Sequence, residues 1–191
     1  MSQSSVETLI PAMDASTAIT MARNAIHVQV KILDAEFWEQ YKVGETGSPN
    51  AAAFDIRACI PEPITLYPGQ QTLIGTGLAL YIGDPNFTLL MMPRSGAGTK
   101  GLVLGNLTGV IDADYQGELK VCAWNRITPS NADNWADRGR YAEENAITIN
   151  PGDRIAQAFI VPVFRADMHI VDEFSDVTVR GANGFGHSGV A

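Results

Sequence analysis

Between Gly109 and Leu119 the sequence reads "GVIDADYQGEL", with two aspartates, a tyrosine and two glycines set between apolar runs. It reads as one hairpin, yet a two-residue hairpin turn needs little more than Asn-Gly or Asp-Gly. The surplus points to a site. Asp112 is placed to hold a water for attack, and the ring of Tyr115 to line a ligand pocket. Aspartates also favour turns for a plainer reason, because their side chains bond nearby backbone N–H groups. Asp114 is read in that structural way.

Three further stretches carry chemistry. "MMPRSGAGTKG" gives Arg94, Ser95, Gly96 and Gly98 in quick succession after an apolar run. A turn of small residues exposes backbone N–H groups to an anion, and Arg94 sets a fixed cation beside them. The GxxxxGK[ST] spacing of a Walker loop is absent. "NPGDRIAQ" places Arg154 and Gln157 three apart at the start of an apolar strand. Strand alternation sends an odd separation to opposite faces unless a bulge intervenes. "RGANGFGHSG", from Arg180 to Gly189, is rich in glycine and carries one arginine and one aromatic ring.

The elements that must position these residues are short. "IHVQVKIL", "ITLYPGQQTLIGTGLAL", "FTLLMM", "LKVCAWN" and "AITINPGDRIAQAFIVPV" are β-branched or alternating runs punctuated by glycine and proline. Many short strands with turn signals between them predict an all-β barrel or jelly roll. In "IHVQVKIL" the alternation puts Ile26, Val28, Val30 and Ile32 on one face. "DAEFWEQYKV" has helical spacing for two turns at most, and "SGAGTKG" suits a short helix or a glycine-rich turn. Thr128 to Asn145 is polar and is expected as an extended loop between two hairpin arms ending at Asn125 and resuming at Ile147, with Trp135 and Tyr141 packing it onto the body.

Composition sets the bounds. The 191 residues suffice for one domain with a full core. A net charge of −8 argues against a general nucleic-acid surface, which needs an excess of Lys and Arg. It still leaves room for a small phosphorylated ligand. Cys59 and Cys122 are the two thiols, too few and too far apart for a zinc framework. No apolar run approaches the roughly 20 residues of a membrane span. The first 25 residues lack the basic start of a signal peptide and are expected as an arm, and the protein is expected to be cytoplasmic.

Taken together, the stretches resemble the trimeric dUTPase family. "AAAFDIRA" looks like its first motif, "PRSG" is its second, "GVIDADYQGEL" is similar to the third, "PGDRIAQ" to the fourth and "RGANGFGHSG" to the fifth, all in order. The resemblance implies a homotrimer of jelly-roll-like β barrels whose three active sites are shared between chains, with a barrel over residues 26–175 and a C-terminal arm over 176–191. It implies hydrolysis of dUTP to dUMP and pyrophosphate, Asp112 directing water onto the α-phosphorus. Asn106 and the backbone of Gly109, Val110 and Ile111 would meet the base, and Tyr115 the deoxyribose. Arg94, Ser95, Gly96 and Gln157 would meet the phosphates, and Asp55 would hold Mg²⁺ through water. On the arm, Arg180 would reach the γ-phosphate, Phe185 would stack on uracil, and Gly186 and His187 would add contacts. Arg154 is read as a structural ion-pair former. Two positions depart from the family pattern, Ala53 and Asn183, where glycine is usual.

Two alternatives stay open at this point. A dCTP deaminase shares the barrel but needs a glutamate at the base amino group. A nucleotide-controlled protein-binding module would use the long loop, 128–145, to hold a partner.

Overall fold

The structure is a computed structural model and describes residues 25–183. The expected N-terminal arm, up to residue 24, and the fifth-motif residues Phe185, Gly186 and His187 lie outside it. Among the described residues ten strands carry the fold: β1 (Gln29–Ile32), β2 (Phe54–Arg57), β3 (Ile64–Leu66), β4 (Gln71–Tyr81), β5 (Phe87–Met92), β6 (Leu102–Leu104), β7 (Gly109–Ile111), β8 (Glu118–Asn125), β9 (Ile147–Ile149) and β10 (Arg154–Pro162). Three helices interrupt them, α1 (Ala35–Trp38), α2 (Ser95–Thr99) and α3 (Trp135–Glu144).

Two four-stranded antiparallel sheets, β1-β4-β8-β6 and β2-β10-β5-β7, pack face to face, and β3 pairs with β9 in a small third ladder. The all-β, jelly-roll-like expectation holds, but the ladders among the described residues do not close into a barrel. Alternation builds the core. Along β8, Leu119, Val121, Ala123 and Asn125 are buried while Lys120 points out. The apolar three belong to one core with Leu89 and Met91 of β5, Ile56 of β2 and Ile155 and Ala158 of β10. These are largely branched side chains at period-two spacing, the pattern a two-sheet core requires.

A bulge in β4 shapes one end. The stretch from Gly75 to Ala79 stands opposite the shorter β8 stretch from Lys120 to Glu118. Gly77 takes φ +65° there, and Trp38 of α1 donates its indole N–H to Thr76 O at 2.9 Å. A Cβ on Gly77 would stand 2.9 Å from Cys59 Sγ and 3.1 Å from Trp38 Nε1. Gly77→Ala is therefore expected to lose at least about 1–2 kcal/mol from backbone conformation alone, with displacement of Trp38 adding to it. Urea denaturation followed by tryptophan fluorescence measures this, the midpoint falling at unchanged slope. Partial burial, reinforced by Asp34 and Glu118, pushes the neighbouring Cys59 thiol up to about 11, so it stays a protonated, unreactive thiol at neutral pH.

Four expectations are corrected. The segment Gly109–Leu119 is not a hairpin: β7 pairs with β5 and β8 pairs with β4 and β6, so the chain crosses there from one sheet to the other. The 128–145 stretch is not all loop, since α3 occupies Trp135–Glu144, capped by Asn134, whose side chain accepts from the Asp137 N–H at 2.8 Å. Nor do Asn125 and Ile147 begin paired arms, because Asn125 pairs with Leu102 and Ile147 with Leu66. Trp135 does not pack on the body but stands 85% exposed. Tyr141 donates its hydroxyl to Thr128 O at 3.1 Å, inside the same segment, and the tie to the body comes from Tyr67, which donates to Glu143 at 3.2 Å, a bond that holds the Tyr67 phenol above its ordinary pKa.

β1 also departs from expectation. It forms, but all four of its residues are exposed, leaving Val30 and Ile32 uncovered at a sheet edge. At the other end of the chain the packed body stops at Pro162, short of the expected 175. Residues 163–183 hold no strand or helix, and Phe164, Ile170, Phe174 and Val179 stand out from the surface. Among the described residues no helix is long and apolar enough to cross a membrane.

Candidate active site

The structure gathers the predicted residues into two groups. The first centres on Asp55 of β2. Its carboxylate, 10% exposed, accepts from Arg94 Nε at 2.7 Å and from Arg154 Nη1 at 3.2 Å. Gln157 lies directly opposite Asp55 in the β2–β10 ladder and donates its Nε2 to Pro93 O at 3.0 Å. Alternation alone would separate Arg154 from Gln157. A register shift between Arg154 and Ala156 buries Ile155 and Ala156 in succession, so both polar side chains turn to the Asp55 face. Arg154 thus is the ion-pair former expected of it. Two guanidiniums against one carboxylate leave a net positive charge beside α2.

α2 follows at once. Ser95 and Gly96 open it and are exposed, and Gly98 N–H bonds Arg94 O at 2.8 Å. Two of its five residues are glycine, each worth about 1 kcal/mol less than alanine in a helix. A single turn of this composition does not stand alone. It persists because its ends are held from outside, at the entry by Gln157 on Pro93 O and at the exit by Arg126, whose Nη2 donates to Gly98 O at 3.1 Å.

The second group lies on the crossing between the sheets. Asp112 and Tyr115 border a cleft of about 210 Å³ with Val110, Ile111, Glu118, Leu119 and Lys120. The turn is locked, with Tyr115 N–H on Asp112 O at 3.1 Å and the Tyr115 hydroxyl on Glu118 O at 3.0 Å. Gly117 makes room for the ring, since a Cβ there would stand 2.5 Å from the Tyr115 hydroxyl. Val110 is 61% exposed, and β7 is an edge strand. One row of its backbone N–H and C=O groups therefore faces away from β5, free to pair with a ligand. Asn106 sits just before this strand, its amide 3.8 Å from where a Cβ of Gly109 would be. Asp112 and Asp114 also border a wider cleft of about 420 Å³ with Tyr81, Thr88 and Arg165.

These two groups do not meet within one chain. β2 and β7 are opposite edges of the same sheet, three strand spacings apart. Asp55 is level with Gln157 and so with Met92, whereas Ile111 is level with Leu89 and Asp112 lies one residue beyond. That is about 14 Å across and about 13 Å along the strands, roughly 20 Å in all. Arg180 belongs to neither group: it lies past the packed body, its Nε donating to Asn183 O at 3.0 Å. Among the described residues no three His, Cys, Asp or Glu side chains converge as a metal cage. The sequence carries no signal for the Asp55–Arg94 contact or for Arg126, because both depend on strand register and neither lies in a local pattern.

Comparison with known proteins fits this geometry. The dUTPase family model matches residues 39–130 and 141–189. The deoxyuridine 5'-triphosphate nucleotidohydrolase of Idiomarina loihiensis is 52% identical over 163 residues, covering 85% of this chain and 97% of that protein. The dUTPase of Staphylococcus bacteriophage 80alpha, solved with dUpNHpp, is similar in structure at TM-score 0.70 and 30% identity, covering 87% of this chain and all of that one. A point variant of the dUTPase from phage phi11 of S. aureus, solved to show coordination of a structural Mg(II) ion, aligns at TM-score 0.62 and 28% identity over 78% of this chain and 99% of that one.

Proposed function

The chain belongs to the dUTPase family and hydrolyses dUTP to dUMP and pyrophosphate, and from that premise we propose how its residues divide the work. Asp112 is the general base: it orients a water and takes its proton as the oxygen attacks the α-phosphorus in line, and pyrophosphate leaves on the far side. Tyr115 packs against the deoxyribose and excludes a 2′-hydroxyl, while the free edge of β7 and Asn106 read the uracil. The observation that carries this reading is that Asp112 and Tyr115 share one cleft with the exposed strand edge at Val110 and Ile111.

The phosphates fall to the other group. A triphosphate brings about four negative charges, so its hydrolysis depends on neutralisation and positioning more than on covalent chemistry. Arg94, Ser95 and Gly96 of the α2 turn, Gln157, and Arg180 with Phe185, Gly186 and His187 of the arm supply that. Mg²⁺ is the cofactor. Both Asp55 oxygens already accept from guanidinium groups, so the carboxylate suits a hydrated ion held through water, in keeping with the reluctance of Mg²⁺ to shed its waters. When bound with the substrate, the ion adds positive charge at the phosphate oxygens.

Because Asp112 stands roughly 20 Å from Asp55 in one chain, the working site takes its two halves from different copies. A homotrimer accounts for that separation, and it would also cover the apolar residues left bare on β1 and on 163–183. The experiment that tests the activity is pyrophosphate release from dUTP, dTTP, dCTP and UTP, with Mg²⁺ and with chelator. Release from dUTP is expected to exceed that from UTP by at least about a hundredfold and to fall on chelation. Ammonia from dCTP with no pyrophosphate from dUTP would make the chain a deaminase.

A second reading concerns α3. Residues 131–140 fall outside the family match, and they carry Trp135 at 85% exposure. We propose the 128–145 insertion as a surface for a protein partner. Excising 131–140 is then expected to leave dUTP turnover intact and to abolish that association.

A further inference from the structure

The α2 turn is held at its exit by a residue that none of the five motifs contains. Arg126 is the first residue after β8. Its backbone N–H donates to Gly101 O at 2.9 Å, and its guanidinium Nη2 donates to Gly98 O at 3.1 Å. Both acceptors belong to the end of α2 and the turn that leaves it; Gly98 O also accepts the Gly101 N–H at 3.1 Å, so Arg126 adds a second, charged donor to a carbonyl at the helix exit.

Arg126 is itself set firmly. Asn125, fully buried beside it, donates its amide to Leu66 O and to Asn145 O, each at 2.9 Å, and accepts from the Ile127 N–H at 3.1 Å. The β6–β8 register places Leu102, which follows the α2 exit, opposite Asn125. Among the described residues Arg126 has no carboxylate partner, so its charge is directed at the helix end, where a cation is favourable.

We propose that Arg126 is a positioning residue for the triphosphate: by fixing the exit of α2 it sets where Arg94, Ser95 and Gly96 stand at the entry. It acts through the turn and does not itself touch substrate. This role rests on reading α2 as the phosphate turn. It makes a specific demand, that loss of Arg126 weakens binding of a ligand in proportion to the phosphates the turn must hold.

The test compares Arg126→Ala and Arg126→Lys with the unaltered protein, using dUpNHpp and dUMP as ligands and thermal melting as a check on folding. Arg126→Ala is expected to weaken dUpNHpp about tenfold, the loss of one charged hydrogen bond, with dUMP affinity changed less than about twofold. KM for dUTP rises with it more than kcat falls. Arg126→Lys, which keeps a donor and a charge, restores most of the loss at an unchanged melting temperature. Equal weakening of both ligands in Arg126→Ala, or no weakening of either, overturns the proposal. Unaltered protein that binds neither ligand refutes the phosphate-turn reading itself, and the role of Arg126 falls with it.

Discussion

Asp112→Asn is expected to cut kcat for dUTP by about a thousandfold or more while dUpNHpp still binds at close to the normal affinity. The amide keeps the shape of the turn, in which Tyr115 N–H bonds Asp112 O through the main chain, so the cleft survives the exchange. What disappears is the capacity to accept a proton from water. General bases contribute roughly 10²–10⁴ in rate, and here the same group also aims the nucleophile, which places the loss at the upper end. Measuring kcat by pyrophosphate release and affinity by calorimetry separates the two. A variant with near-normal turnover would mean that another group, Asp114 being nearest in sequence, takes the proton.

The second large effect is a recovery. Arg94→Ala removes a cation beside Asp55 and the α2 turn, and is expected to be nearly inactive, as is Asp112→Asn. Chains of the two variants, unfolded together and refolded in equal amounts, are expected to regain about a quarter of the normal activity. In a symmetric assembly whose sites join one chain's Arg94 to another's Asp112, about one site in four receives both intact groups. Each variant refolded alone stays inactive. If one chain supplied both groups, no mixture would contain an intact site, and the recovery would be nil.

The sequence exposed the site's membership more readily than its layout. "PRSG" and "GVIDADYQGEL" carry recognisable chemistry in a few adjacent residues, so α2, Asp112 and Tyr115 were legible locally. The all-β architecture was legible too, because runs such as "LKVCAWN" alternate as β8 does. What failed was anything decided by pairing partners. Two apolar arms around a turn look the same whether they pair with each other or part to different sheets, and Gly109–Leu119 does the latter. The bulge that reunites Arg154 with Gln157 leaves no mark in composition. α3 escaped because it has no buried side and therefore no 3.6-residue apolar rhythm, although Asn134 three residues before Asp137 was a usable start signal. β1 misled in the opposite sense: its alternation was real, but the face it defines is uncovered in a single chain.

Asn125 has a consequence for how this protein can change over generations. Its three side-chain bonds fasten Ile127 and Asn145 to the same buried spot, so the body is tied mainly to the two fastened ends, with the Tyr67–Glu143 bond and Pro129 beside Gly69 as the contacts between them. The entropy lost in tethering such a segment rises with the logarithm of its length, about 0.6 kcal/mol for each doubling. Residues can therefore be gained, lost or rewritten there almost without penalty to the core, which makes this the place where a lineage can try new surfaces while the chemistry stays as it was.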